Sequence, residues 1–80
     1  CGTGIGISIA ANRYKNIRAT LCGNTEHAEM ARKHNDSNIL ALGGRITPIK
    51  ELKDIVGVWL STDFEGGRHQ KRIDLIDEIK

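Results

Sequence analysis

A cysteine and three alternating glycines open the chain, and together they can do chemistry. Gly2, Gly4 and Gly6 lack side chains, so their backbone N–H groups can point at one anion. If a helix starts in this loop, its dipole makes the Cys1 thiol easier to ionise, as a base or a nucleophile requires. The spacing matches neither G-x-G-x-x-G nor a Walker A loop. An ordinary tight turn and an inert thiol therefore stay open as alternatives.

Histidine and cysteine side chains further along give no metal-binding pattern. His34 stands at the end of a predicted helix, where it either meets a ligand or bonds a backbone carbonyl. His27 is expected to face solvent, and Cys22 lies in an apolar run that predicts a buried, inert thiol. Because Cys22, His27 and His34 lack the spacing of known zinc ligands, we expect no metal at these residues.

Two arginines four residues apart near the end of the chain could hold a phosphate. Arg68 and Arg72 share one face of a predicted helix, and two guanidinium groups suit an anion with several oxygens. The alternative is a solvated face in which Glu65 or Asp74 pairs with the arginines. Arg45 directly follows two glycines at the end of a predicted strand, and is either a third ligand-binding arginine or an ordinary surface residue.

The elements that must position these side chains alternate between strand and helix. The apolar run at Ile17–Cys22 predicts a buried strand, and Ile39–Leu42 predicts a second strand. Between them, Asn24 or Thr25 can cap a helix that runs through Asn35. A strand, a helix and a second strand in this order predict a right-handed βαβ unit with a parallel sheet, and therefore an α/β fold.

Two more helices are predicted after the second strand. Thr47 is a good N-cap and Pro48 suits the first helical position. The apolar residues that follow fall on one helix face: Ile49, Leu52, Ile55, Val56, Trp59 and Leu60. After two glycines, Arg68–Lys80 is interpreted as the last helix. Residues 5–11 fit both a strand and a helix.

Composition limits the class of protein. Eighty residues and 8.8 kDa make at most one small domain, and 12 Lys and Arg against 10 Asp and Glu give a net charge of only +2. Because the chain has one Trp, one Tyr and one Phe, it lacks an aromatic platform for nucleic acid. No apolar stretch approaches the roughly 20 residues that span a bilayer. Two cysteines make no disulfide framework, so a reducing cytoplasm is expected.

Four motifs carry a resemblance to a known family, in the same order and at the expected separations. They are residues 1–12 (CGTGIGISIAAN), 31–36 (ARKHND), 42–45 (LGGR) and 64–72 (FEGGRHQKR). Together they resemble the active-site segments of type B ribose-5-phosphate isomerases. That family also includes galactose-6-phosphate and allose-6-phosphate isomerases, and the resemblance covers essentially the whole chain.

The resemblance implies roles for the residues of the opening loop. Cys1 would be the base that removes the proton from the carbon next to the substrate carbonyl. Thr3 and the backbone of Gly2, Gly4 and Gly6 would stabilise the enediolate oxygen. Such an isomerisation needs one base, donors aimed at an oxyanion and a clamp on the phosphate, with no cofactor.

The resemblance also implies how the rest of the site is built. His34 would help to open the furanose ring, Asn35 would bind hydroxyl groups, and Arg68 and Arg72 would hold the phosphate, with help from Arg45. The fold would be Rossmann-like, in homodimers or homotetramers whose active sites are shared between subunits. Sharing would explain how His34, expected at the amino edge of its own sheet, reaches an active site.

Residues 1–80 are therefore interpreted as the C-terminal part of a single sugar-phosphate isomerase domain. Family members begin with a further segment that supplies the first strands and an Asp-His pair. The substrate we expect is ribose 5-phosphate, interconverted with ribulose 5-phosphate. Galactose 6-phosphate and allose 6-phosphate remain alternatives within the family. A phosphate-binding or subunit-interface module without catalysis is the alternative outside it.

Overall fold

A parallel pair of strands with four helices makes up the chain in the computed structural model, which describes residues 1–79. The elements, in chain order, are α1 (Ile5–Ala11), β1 (Ala19–Leu21), α2 (Thr25–Asn35), β2 (Ile39–Ala41), α3 (Ile49–Ser61) and α4 (Arg68–Asp77). Within residues 1–79, none of the helices combines the length and the apolar character that crossing a bilayer needs.

Strands β1 and β2 pair in parallel, with Ala19 opposite Ile39 and Leu21 opposite Ala41. Each strand has three residues and occupies part of its predicted apolar run. The predicted α/β fold with a parallel sheet is therefore confirmed. Helix α2, which connects the strands, begins as expected: the Asn24 side chain accepts a hydrogen bond of 2.8 Å from the backbone N–H of His27.

Helix α3 departs from its prediction at both ends. Pro48 is the N-cap, and Thr47 instead donates its backbone N–H to Gly43 in the preceding turn, so the predicted Thr47 cap is wrong. Ile55 and Trp59 are buried, but Ile49 and Leu60 are 72% and 74% exposed. Only the central turns of α3 pack on the core. The buried cluster formed with α2 and Cys22 does not extend to the two ends of the helix.

Residues 5–11 form helix α1, which settles the ambiguity of their sequence pattern. No residue of α1 is buried, and Ile5, Ile7 and Ile9 each expose about half of their surface or more. Ile5 and Ile9 lie on one side of the helix and Ile7 lies on another, so apolar surface surrounds α1. A helix that is apolar all round is normally buried in the core of a larger protein.

Small side chains let helices α2 and α3 approach each other in the core. Ala28 and Ala31 of α2 are buried against Ile55 and Trp59 of α3, together with Cys22 after β1. Burial raises the pKa of the Cys22 thiol, which agrees with its prediction as an inert residue.

Arg32 secures the end of helix α2. Its guanidinium lies 4.8 Å from the centre of the Trp59 ring and donates to the backbone carbonyls of Ser37 and Thr62, at 2.7 and 3.2 Å. These contacts tie the last turn of α2 to the end of α3 and to the turn before β2. His34 follows Arg32 by two residues in the same last turn of α2.

Replacing Gly4 with alanine is expected to lower the free energy of unfolding by about 2–4 kcal/mol. Gly4 has a φ of 82°, and a Cβ there would lie 2.4 Å from the Leu21 side chain and 2.9 Å from the Leu42 backbone. Gly57→Ala is the matched control, because Gly57 is helical and nothing lies within 4 Å of the added carbon. Urea unfolding of the control should show a gain of about 0.5–1 kcal/mol.

Candidate active site

Residues Cys1–Gly4, here called the thiol loop, lie at the carboxyl edge of the sheet. The backbone N–H of Gly44 donates to the Cys1 carbonyl at 2.9 Å, and that of Arg45 donates to the Gly2 carbonyl at 3.0 Å. These bonds join the loop to the segment that follows β2. Close packing keeps the loop there, since a Cβ on Gly43 would lie 2.7 Å from the Thr3 carbonyl oxygen.

The thiol loop gathers several of the side chains singled out from the sequence. Cys1 and Arg45 are both exposed, and the Arg45 side chain lies so close to Gly2 that an added Cβ would be 3.2 Å from its Cδ. The Thr3 hydroxyl accepts a 3.2 Å hydrogen bond from the backbone N–H of Ile5, which leaves its own hydrogen free to donate. An exposed thiol, a hydroxyl donor and a guanidinium thus lie close together, in the thiol loop and in the segment after β2 that is bonded to it.

Helix α1 begins too far along the chain for its dipole to activate the Cys1 thiol as expected from the sequence. Its first residue is Ile5, four positions after Cys1, so Cys1 lies outside the first turn, where the helix dipole acts most strongly. Gly6 lies inside that first turn, where backbone N–H groups lack partners within the helix. The amides that can meet an anion therefore extend from the thiol loop into the first turn of α1.

A second cluster lies at the amino edge of the sheet, around the end of α2. His34 and Asn35 are the last two residues of that helix, and the His34 Nε2 lies 3.9 Å from the nearer carboxylate oxygen of Glu65. The His69 ring stacks on the His34 ring with centroids 4.3 Å apart and planes 16° from parallel. The stack connects α2 to the first turn of α4.

Arg68 and Arg72 lie on α4 on either side of His69 in sequence, and both are exposed. Among residues 1–79, neither arginine takes part in an ion pair. The alternative partner Asp74 instead accepts a 2.8 Å hydrogen bond from Gln70. The two guanidinium groups are thus available to a ligand. We call His34, Asn35, Arg68, Arg72 and His69 the histidine–arginine face.

His69 is the residue of this face that the sequence analysis did not single out. It is only 4% exposed, and its Nδ1 has no hydrogen-bond partner among the described residues. Burial lowers the pKa of His69 below its ordinary 6.5, and the charges of His34, Arg68 and Arg72 lower it further against an opposing effect of Glu65. A signal existed in the spacing, since His69 and the buried Ile73 are four residues apart on α4.

The protein is expected to lose stability as the pH falls below about 6.5, partly through His69. Because the folded state lowers the pKa of His69, the unfolded chain binds the proton more readily, and protonation favours unfolding. The loss should level off below the folded-state pKa. Urea unfolding at about pH 7.5 and about pH 5.5 should show a smaller pH effect for His69→Phe than for the unchanged protein. Equal pH effects in both would contradict the assignment.

The histidine–arginine face does not have the geometry of a metal site, although His34, Glu65 and His69 bring ligand atoms within 4.8 Å of one another. An imidazole binds a metal along its nitrogen lone pair, in the plane of the ring. The two stacked rings lie only 16° from parallel, so the lone pairs of their nitrogens lie in two nearly parallel planes. Those lone pairs therefore do not converge on one ion about 2 Å from each nitrogen.

Comparison with known proteins decides the family. The family model described as Ribose/Galactose Isomerase matches residues 1–76. The chain belongs to this family. Ribose-5-phosphate isomerase B of Escherichia coli is 49% identical over 80 residues, which cover all of this chain and 54% of the bacterial protein. The chain thus spans about half the length of the curated relatives that it matches.

Solved structures of the family have the same architecture. A ribose 5-phosphate isomerase from Thermotoga maritima superposes with a TM-score of 0.97 at 54% identity, over 99% of this chain and 55% of that one. The type B enzyme from Trypanosoma brucei gives 0.98 at 44% identity, over 100% and 54%. The Rossmann-like fold and the family predicted from the four motifs are confirmed.

The thiol loop and the histidine–arginine face lie at opposite edges of the sheet in this chain. The thiol loop contacts Leu21 and Leu42, at the carboxyl ends of β1 and β2. The end of α2 lies beside the amino ends of the strands, because it leads into β2. Arg18 directly precedes β1, and its backbone carbonyl accepts a hydrogen bond from the N–H of Asn38, directly before β2. Strands of three residues separate the edges by about 10 Å. One chain therefore carries two candidate half-sites at opposite edges of the sheet.

Proposed function

We propose that this chain is the base-bearing part of an isomerase that interconverts ribose 5-phosphate and ribulose 5-phosphate through an enediolate. The observation that carries this proposal is the thiol loop, in a chain whose family is shown. It offers an exposed Cys1 beside glycine amides, the Thr3 hydroxyl and the Arg45 guanidinium. A base, oxyanion donors and a positive charge are what an aldose–ketose isomerisation requires.

In the proposed reaction Cys1 acts as a thiolate. It takes the proton from C2 of the open-chain aldose while the Thr3 hydroxyl and the loop amides stabilise the negative charge that develops on the carbonyl oxygen. The proton returns from sulfur to C1 of the enediolate, and the hydroxyl hydrogen moves from O2 to O1, which gives the ketose. A single base suffices because C1 and C2 are adjacent.

The remaining roles belong to the histidine–arginine face. We assign ring opening to His34, contact with hydroxyl groups to Asn35, and the grip on the phosphate to Arg68 and Arg72, which have no ion-pair partners within residues 1–79. Arg45 adds positive charge at the thiol loop. Because the two half-sites lie at opposite edges of the sheet in one chain, each active site would combine the thiol loop of one copy with the histidine–arginine face of another.

Helix α1 supports an assembly of at least two copies. Its apolar residues surround the helix, and none of them is buried within this chain. Covering them against a second copy would remove that surface from water and bring a foreign half-site toward the thiol loop. A homodimer is the smallest assembly with two complete sites. Both thiols are free, and a reducing cytoplasm fits this role because a disulfide would remove the base.

A substrate panel tests the proposed function. Coupled isomerase assays on the full chain would compare ribose 5-phosphate, galactose 6-phosphate and allose 6-phosphate, with calorimetry on each sugar phosphate in parallel. We expect turnover of ribose 5-phosphate to exceed that of both hexose phosphates. Faster turnover of a hexose phosphate would show that this hexose phosphate, rather than ribose 5-phosphate, is the substrate. Binding of all three without turnover would show a phosphate-binding module and contradict an isomerase.

A further inference from the structure

The contact between His34 and His69 is the feature that the proposed function leaves unused. The His34 side chain is 38% exposed, and its only ion-pair approach within residues 1–79 is the 3.9 Å distance to Glu65. Such a separation is too long for a hydrogen bond that fixes a ring. The stacked His69 ring, whose centroid lies 4.3 Å from that of His34, therefore constrains the orientation of the His34 imidazole where Glu65 does not.

His69 is suited to this contact because its ring is buried and its surroundings disfavour the protonated form by lowering its pKa. A protonated imidazole carries two N–H donors, and the buried Nδ1 of His69 has no acceptor in residues 1–79. The charged groups around it are His34 from α2, Glu65 from the loop before α4, and Arg68 and Arg72 from α4 itself. Three of these four groups oppose a positive charge, so the two rings can stack without repulsion between cations.

The stack also joins the two functions of the face. His69 follows Arg68 directly and precedes Arg72 by three residues on α4. The backbone N–H of Glu65 donates to the Lys33 carbonyl at 3.1 Å, so the chain just before α4 is attached beside His34. The same helix therefore carries the phosphate-binding guanidinium groups and the ring that supports His34.

We propose that His69 is a positioning residue for His34, whose imidazole it holds in one orientation toward the substrate through their stacked rings. This inference rests on the proposed function, in which His34 opens the sugar ring. It assigns no contact with substrate to His69. Flatness and aromatic character of the side chain at position 69 are what the role requires.

Two readouts separate ring opening from the proton transfer at Cys1. Isomerisation of ribose 5-phosphate requires both, because this sugar is mostly a closed furanose. Ribulose 5-phosphate cannot close a furanose, since its O5 carries the phosphate. Its exchange of the C1 hydrogen with deuterium oxide therefore reports the proton transfer alone. Both would be measured on the full chain with His69→Phe, His69→Leu and His69→Gln, beside the exposed control His27→Leu.

We expect His69→Leu and His69→Gln to slow isomerisation of ribose 5-phosphate by about 10- to 100-fold through lost orientation of His34. Deuterium exchange into ribulose 5-phosphate should stay near its original rate in both. His69→Phe should recover most of the isomerisation, and His27→Leu should change neither readout. Having two non-aromatic variants keeps the comparison valid if one of them fails to fold.

Equal losses in His69→Phe and His69→Leu would overturn the proposal, as would parallel losses of isomerisation and exchange, which a merely structural role predicts. Unchanged isomerisation in a folded His69→Leu would overturn it too. The proposed function fails separately if Cys1→Ala retains deuterium exchange. In that case the comparison of Phe with Leu at position 69 still decides whether the stack matters for isomerisation.

Discussion

Isomerisation of ribose 5-phosphate should fall by at least about a thousandfold when Cys1 is replaced by alanine. The substitution removes the thiolate that carries the proton from C2 to C1 and leaves the Thr3 hydroxyl, the loop amides and Arg45 in place. The coupled assay measures the loss of turnover. Calorimetry should still detect sugar-phosphate binding, because Arg68 and Arg72 are unchanged.

Cys22→Ala is the matched control for this prediction. The Cys22 side chain is buried in the core, 1% exposed, so its loss should reduce stability by about 1–2 kcal/mol and leave turnover unchanged. If Cys1→Ala kept near-normal turnover, the base would be another group. If Cys22→Ala alone lost turnover while folded, the wrong thiol would have been assigned.

Mixing two inactive variants should restore activity if active sites are shared. Cys1→Ala disables the thiol loop, and a double substitution of Arg68 and Arg72 by alanine disables the histidine–arginine face. In a mixed dimer one site carries both defects and the other carries none. Random exchange of subunits makes half of the dimers mixed, so about a quarter of the unchanged activity should return.

A second mixture controls for nonspecific rescue. Cys1→Ala and Thr3→Ala both alter the thiol loop, so every site in their mixed dimer contains one defective loop. This mixture should show no gain above its components. No rescue in the first mixture after confirmed exchange of subunits would place both half-sites within one chain. Rescue in the second mixture would show that the gain in the first is nonspecific and would contradict shared sites.

Local signals in the sequence predicted the parallel strands and helix α2. The N-cap at Asn24 and the apolar runs act through nearby backbone and burial, so they can be recognised without knowing the fold. The limits of α3 could not be found this way. Thr47 is a good N-cap by residue type, but it ends the turn that its N–H closes onto the Gly43 carbonyl, and the helix begins two residues later at Ile49.

The candidate site could likewise be predicted only in part from the sequence. Its motifs pointed to Cys1, His34 and the arginines, and the alternatives were left open because spacing alone does not show which side chains meet. The stack of His69 on His34 joins residues 35 positions apart and depends on how α4 packs beside α2. The apolar surface all round α1 could not be predicted either, because the sequence of residues 5–11 fits both a strand and a helix.

Deuterium exchange at C1 of ribulose 5-phosphate tests the central claim most directly, because it isolates the proton transfer assigned to Cys1. In deuterium oxide, the Cys22→Ala control should incorporate deuterium as fast as the unchanged protein, and Cys1→Ala should incorporate none above the rate without enzyme. Sustained incorporation by a folded Cys1→Ala protein would contradict the account.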